Sequence, residues 1–165
     1  MKRILFLITV FTLLFTACEG DPGPQGPPGL NGQDGGIFVA QSFETAPLDF
    51  TTGNAFEQVI SYPVDFLVGD DMVLVYLLWN ENPDPVWRLL PQTIYTDNGS
   101  FQYNYQDEFT QLRLFMDAES SFDFNTLSDN DTLNQIFRVV ALPSDLINSN
   151  DIDINNFNDV VQYLQ

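Results

Sequence analysis

Ile94-Tyr95-Thr96-Asp97-Asn98-Gly99-Ser100-Phe101-Gln102-Tyr103-Asn104-Tyr105 reads as two strands folded back on each other. Asn98-Gly99 predicts a type I′ hairpin turn, because that turn needs positive φ at both central residues and Asn and Gly tolerate it best. Beyond the turn, Phe101, Tyr103 and Tyr105 alternate with Ser100, Gln102 and Asn104. A period of two puts the aromatic rings on one face of a strand and the polar side chains on the other.

The same period extends outward from this hairpin. Leu112, Leu114 and Met116 alternate around Arg113. Phe56, Ile60, Tyr62, Val64 and Phe66 are expected to share one strand face. Met72 to Trp79 is apolar throughout, which suits a central strand buried on both faces. Asn134 to Leu142 is a further strand candidate. Val68-Gly69-Asp70-Asp71, Asn82-Pro83-Asp84-Pro85 and Asp97-Asn98-Gly99 supply turns between the runs. Short strands at this spacing predict an antiparallel β-sandwich. Only the end reads as helical. Phe157, Val160, Val161 and Leu164 fall at i, i+3, i+4 and i+7, with Asn155 or Asn156 as the cap. The expected fold class is therefore mainly β, a sandwich over residues 37–165 with a short C-terminal helix.

A different grammar precedes the domain. Lys2 and Arg3 lead an apolar run from Ile4 to Phe15, broken only by Thr9 and Thr12. A bilayer span needs about 20 residues, so this run is too short and predicts a signal peptide over residues 1–17. Leu14-Phe15-Thr16-Ala17-Cys18 resembles the lipobox of bacterial lipoproteins, in which the cysteine is lipidated and becomes the new N-terminus; Phe15 departs from the usual aliphatic residue. Cys18 is the single cysteine of the chain and has no partner within it. Lipidation accounts for both its position and its solitude, since acyl chains anchor by about 0.8 kcal/mol per buried CH₂. Glu19 and Asp21 resemble surface-export signals of Bacteroidetes lipoproteins. The expected location is the outer membrane or the cell surface, reached through the lipid.

Residues 18–36 join anchor to domain. Gly20, Gly23, Gly26, Gly29, Gly32 and Gly35 keep a strict period of three. Only glycine fits the axis of a collagen triple helix, so the period has a steric reason. Pro22, Pro24, Pro27 and Pro28 take four of the six other positions of the first three triplets, and the later triplets carry no proline. A monomeric extended spacer is the expectation, with a homotrimer through the stalk as the alternative.

Without the leader, Arg88, Arg113 and Arg138 stand against 23 acidic residues, a formal charge of −20, with no lysine and no histidine. Such a surface repels nucleic acid and anionic lipid. Nucleophilic catalysis lacks a histidine or lysine base, and the thiol is acylated. A carboxylate pair of the glycosidase kind stays open, but no spacing brings two acids together. The chain is not expected to be an enzyme, and no cofactor, catalytic residue or metal ligand is assigned. Asp151-Ile152-Asp153-Ile154-Asn155-Asn156 has the alternate oxygens of a calcium loop. The match fails at Asn156, Asn158 and Gln162, so the run reads as an Asp/Asn-rich loop capping the last helix. Ser128-Asp129-Asn130-Asp131 is a weaker cation candidate.

Each arginine sits in an apolar strand and is expected to pair with a neighbouring carboxylate; the competing reading is an anion cluster. Tyr103, Tyr105, Trp79 and Trp87 are expected in the core or on a sheet face; the competing reading is a sugar-stacking platform. Asp131-Thr132-Leu133 matches a short Bacteroidetes O-glycosylation pattern on Thr132. Asn98-Gly99-Ser100 is an N-glycan acceptor only in a eukaryotic setting and is read as a turn.

Pro85-Val86-Trp87-Arg88-Leu89-Leu90-Pro91-Gln92-Thr93, Gln102-Tyr103-Asn104-Tyr105 and Asn134-Gln135-Ile136-Phe137-Arg138-Val139-Val140 resemble a family of small Bacteroidetes lipoproteins with a collagen-like stub. The resemblance covers nearly the whole chain and implies an envelope lipoprotein without an established activity. Some members carry a label resembling that of dihydrolipoamide dehydrogenase. That chemistry needs a redox cysteine pair and a glycine-rich dinucleotide turn, and this chain has neither. The sequence therefore predicts a cell-envelope lipoprotein with a binding or structural role toward an envelope, matrix or glycan partner. The alternative is a carbohydrate-active enzyme or a glycan-capture accessory, which a cleft with convergent carboxylates and exposed aromatics favours over a flat surface.

Overall fold

Among the described residues the alternation of apolar and polar residues is realised in eight strands: β1 (Gln41–Glu44), β2 (Glu57–Ser61), β3 (Met72–Asn80), β4 (Val86–Leu89), β5 (Gln92–Thr96), β6 (Gly99–Asp107), β7 (Gln111–Ala118) and β8 (Phe137–Leu142). The computed structural model describes residues 40–64, 66, 71–80, 83–149 and 152–164. Cys18, the glycine run, the Val68-Gly69-Asp70 turn and Asp151 lie outside the described residues.

The strands form two four-stranded sheets, in the orders β1-β8-β3-β4 and β2-β7-β6-β5. All the strand pairings are antiparallel. The inner face of the first sheet presents Val73, Val75, Leu77, Phe137, Val139 and Ala141. The second sheet answers with Phe101, Tyr103, Leu112, Leu114 and Met116. Their interdigitation makes the sandwich core, closed at its margins by Phe50, Phe66 and Leu90.

The first sheet is buried on its outer face as well. Leu74, Tyr76, Trp87, Val140 and Leu142 pack there against Leu146 and Val160. Those two come from α2 (Ser144–Ser149) and α3 (Phe157–Val161), short helices of the C-terminal segment; α1 (Asp129–Thr132) precedes β8. Hence the unbroken apolar run of β3, where Val73 to Leu77 are all buried. The Tyr76 hydroxyl, carried into this second core, donates to the Ile154 carbonyl at 2.7 Å. The end of the chain returns to the start of the domain, with the Ala40 N–H donating to the Tyr163 carbonyl at 3.0 Å.

Asn156 caps α3 by accepting the Asn158 N–H, as the spacing predicts. Several local expectations are corrected. Thr96 pairs with Gly99, so the turn centres on Asp97-Asn98, and neither takes positive φ. Gly99 instead opens the returning strand at φ +127°. The hairpin survives; the type I′ geometry does not. Phe56 to Phe66 is not one strand face either. Phe56 has φ +56° and turns into β2, stacking its ring on Phe124. Val64 is 91 % exposed, and Phe66 reaches the core from a turn whose N–H donates to the Pro63 carbonyl. β8 begins at Phe137, because Asn134 takes φ +55° and breaks the extended backbone. α1 and α2 are too short to show a helical period.

Candidate functional site

The last residues of β3 leave the core and form one wall of a cleft of about 700 Å³, within the roughly 300–1,000 Å³ typical of small-molecule sites. Leu77, Trp79 and Asn80 come from β3, Ile94 from β5 and Tyr103 from β6. The opposite rim is Asp129-Asn130-Asp131 of α1 and the segment from Leu133 to Ile136. The cleft thus lies where the two sheets part, under a cover that joins β7 to β8.

That rim is held by a dense set of hydrogen bonds. The Phe50 N–H donates to the Thr132 carbonyl at 2.7 Å, and Leu48 and Gln135 exchange backbone bonds of 2.9 and 2.8 Å. Between them, Asp49 Oδ1 accepts the Asn134 N–H at 2.8 Å, which fixes Asn134 in its left-handed conformation. Asparagine tolerates that conformation better than most residues. The Gln135 side-chain amide donates to the carbonyls of Asn130 and Leu133, both at 2.8 Å. From the floor, the Tyr103 hydroxyl donates to the Asp131 carbonyl. Ser128 Oγ donates to the Asp131 carboxylate at 2.6 Å.

Four groups at the cleft are not held in this way, and Asp129, Asn130 and Asn134 are exposed. The Asp129 carboxylate, the Asn130 and Asn134 side-chain amides and the Trp79 indole N–H make no hydrogen bond among the described residues. Trp79 is 44 % exposed. The Arg88 guanidinium lies 3.8 Å from the centre of its ring and covers one face. Trp79 lines the cleft and Arg88 does not.

The other aromatic candidates are structural. Trp87 and Tyr103 are buried, and the Tyr105 hydroxyl crosses the core to donate to the Val73 carbonyl at 2.9 Å. Burial pushes the phenols of Tyr76, Tyr103 and Tyr105 up, which fits groups that serve as hydrogen-bond donors.

The arginines do not converge. Arg113 lies 3.3 Å from Glu57 and 3.5 Å from Glu108, and Arg138 pairs with Glu44. Arg88 departs from the expected pairing, because among the described residues its partner is the Trp79 ring rather than a carboxylate. The calcium-like run is committed elsewhere: Asp153 Oδ1 accepts the Asn155 N–H at 3.0 Å and Asn156 caps α3. No group of three or more acidic, cysteine or histidine side chains among the described residues is disposed to hold a metal ion. Thr132, the O-glycosylation candidate, is half-buried, with its hydroxyl donating to the Ser128 carbonyl at 3.1 Å.

Sequence reasoning passed over Asn134 and Gln135 as binding residues and took Asp129-Asn130 for a weak cation loop. No linear motif joins them to Trp79; only the pairing of β3 with β8 does. No protein-family model, curated protein or solved structure matches the chain. No helix among the described residues is long and apolar enough to cross a membrane.

Proposed function

We propose that this chain is a lipid-anchored protein of the bacterial cell envelope whose β-sandwich binds a ligand in the cleft between Trp79 and α1. The anchor rests on the lipobox-like run ending at Cys18. The binding role rests on one observation: a hydrogen-bonded rim carries the exposed side chains of Asp129, Asn130 and Asn134, none of which makes a hydrogen bond among the described residues, along a cleft that Trp79 also lines. Surplus donors and acceptors around a concave site are what a ligand completes. Hydrolysis is less well supported than capture, because one of the two rim carboxylates, Asp131, is already held by Ser128.

Two measurements test this reading. Cys18→Ala releases the protein from the membrane fraction and abolishes incorporation of a fatty-acid probe; retention of the variant overturns the anchor. A panel of neutral oligosaccharides, basic peptides and acidic peptides, passed over the immobilised full chain, gives binding that Trp79→Ala weakens. No response from any class overturns the binding role.

A further inference from the structure

The nature of the ligand can be read from the same cleft, and the inference rests on its being a binding site. We propose that the cleft takes a neutral saccharide, with a sugar ring against Trp79 and its hydroxyls bonded by Asp129, Asn130 and Asn134.

Charge excludes two classes. Asp129 and Asp131 line the cleft and no arginine does, so a phosphate or carboxylate ligand meets repulsion without a counter-charge. A cation is the natural guest of a carboxylate beside an indole. Here, however, the Arg88 guanidinium already lies 3.8 Å from the indole centre. A second cation on the same ring faces that charge across it, and like charges this close repel. A neutral ligand meets no such penalty.

Polarity excludes a third class. An apolar ligand would strip water from Asp129, Asn130 and Asn134 and return no hydrogen bonds, which is costly. Vicinal hydroxyls both donate and accept. They match a carboxylate that only accepts, an indole N–H that only donates and amides that do both. The C–H face of a pyranose then covers the 44 % of Trp79 that the fold leaves in water. The rim is also preorganised. Gln135 clamps α1, Asp49 fixes Asn134, and Tyr103 holds Asp131, so little ordering remains to be done on binding.

Isothermal titration calorimetry on the full mature chain tests this, with cello-, xylo-, manno- and N-acetylchito-oligosaccharides and a lysine-rich peptide as probes. At least one neutral oligosaccharide binds, with an affinity that changes less than about twofold between about 0.05 and 0.5 M salt, because no ion pair is screened. Trp79→Ala lowers that affinity about tenfold or more, as loss of an aromatic anchor does. Trp79→Phe, which keeps a ring and the fold, loses less. Tyr95→Ala, an exposed aromatic on the far face of the second sheet, leaves binding unchanged. Binding of the lysine-rich peptide alone, lost at high salt and in Asp129→Asn, overturns the saccharide and leaves the binding site standing. Binding of no probe overturns both. Saccharide binding that Tyr95→Ala abolishes and Trp79→Ala spares places the ligand on the open sheet face and overturns the cleft.

Discussion

Tyr103 shows how one residue serves both packing and site. Its ring is 2 % exposed and meets Phe50, Phe101 and Phe137 edge-on. Its hydroxyl reaches past them to hold the Asp131 carbonyl. Tyr103→Phe keeps the ring and removes the bond, so it costs about 0.5–1.5 kcal/mol in denaturant unfolding. It also loosens α1, and ligand affinity falls without any change at Trp79. Burial pushes the phenols of Tyr62, Tyr76 and Tyr103 up, and for Tyr62 the bond to Asp107 adds to it. The sign of the linkage follows. The fold keeps protons that the unfolded chain releases above about pH 10, so this contribution is whole below that pH and is lost above it. The denaturant midpoint is therefore level through neutral pH and falls at alkaline pH. Phenolate absorbance in the native state reports fewer than the six tyrosines of the chain. Full ionisation without unfolding contradicts the burial. Arginine pairing was legible at this scale for Arg113 and Arg138. Arg88 was not, because a ring nine residues away gives no charge signal in the sequence.

At the scale of elements, the sequence was most legible where burial is one-sided. Phe101-Tyr103-Tyr105 and Leu112-Leu114-Met116 alternate because one face of each strand meets the core and the other meets water. Met72 to Trp79 loses the alternation because α2 and α3 cover its outer face, and Asn156 marks the start of α3. Turn type was less legible. Asn98-Gly99 is compatible with several turns, and the register of β5 against β6 selects Asp97-Asn98 as the centre. Gly99 is then the strained position. Its φ is +127°, and a Cβ added there would lie 3.3 Å from Phe122 Cδ2. Gly99→Ala destabilises the domain by about 1–3 kcal/mol, read as a lower denaturant midpoint. Asn98→Ala, at negative φ, costs much less. Equal effects would restore the turn to Asn98-Gly99. Of the short helices only α3 was legible; α1 and α2 were not. α1 holds four residues and is held by bonds from Phe50, Gln135 and Tyr103 rather than by helix propensity.

For the whole molecule, the sandwich followed from pattern, but the cleft did not. Trp79, Tyr103 and Asp129 lie far apart in the chain and meet only through strand pairing and the return of residues 48–50 to the rim. No composition or spacing encodes that meeting. Charge acts at this scale too. The formal charge of the chain is −18, or −20 without residues 1–17; either opposes self-association, and the few proline-bearing triplets give a triple helix little support. Sedimentation equilibrium on the lipid-free ectodomain therefore gives a monomer, and a trimer would show that the glycine period clamps three chains. The central claim, that the cleft is where this protein meets its ligand, is tested most directly by the two indole N–H signals in a proton–nitrogen NMR titration with the oligosaccharide that binds. Trp79 and Trp87 are the only tryptophans. The cleft predicts that the Trp79 signal moves with saturation and the buried Trp87 signal stays. A saturable change confined to Tyr95 and its neighbours, with both indoles still, contradicts it.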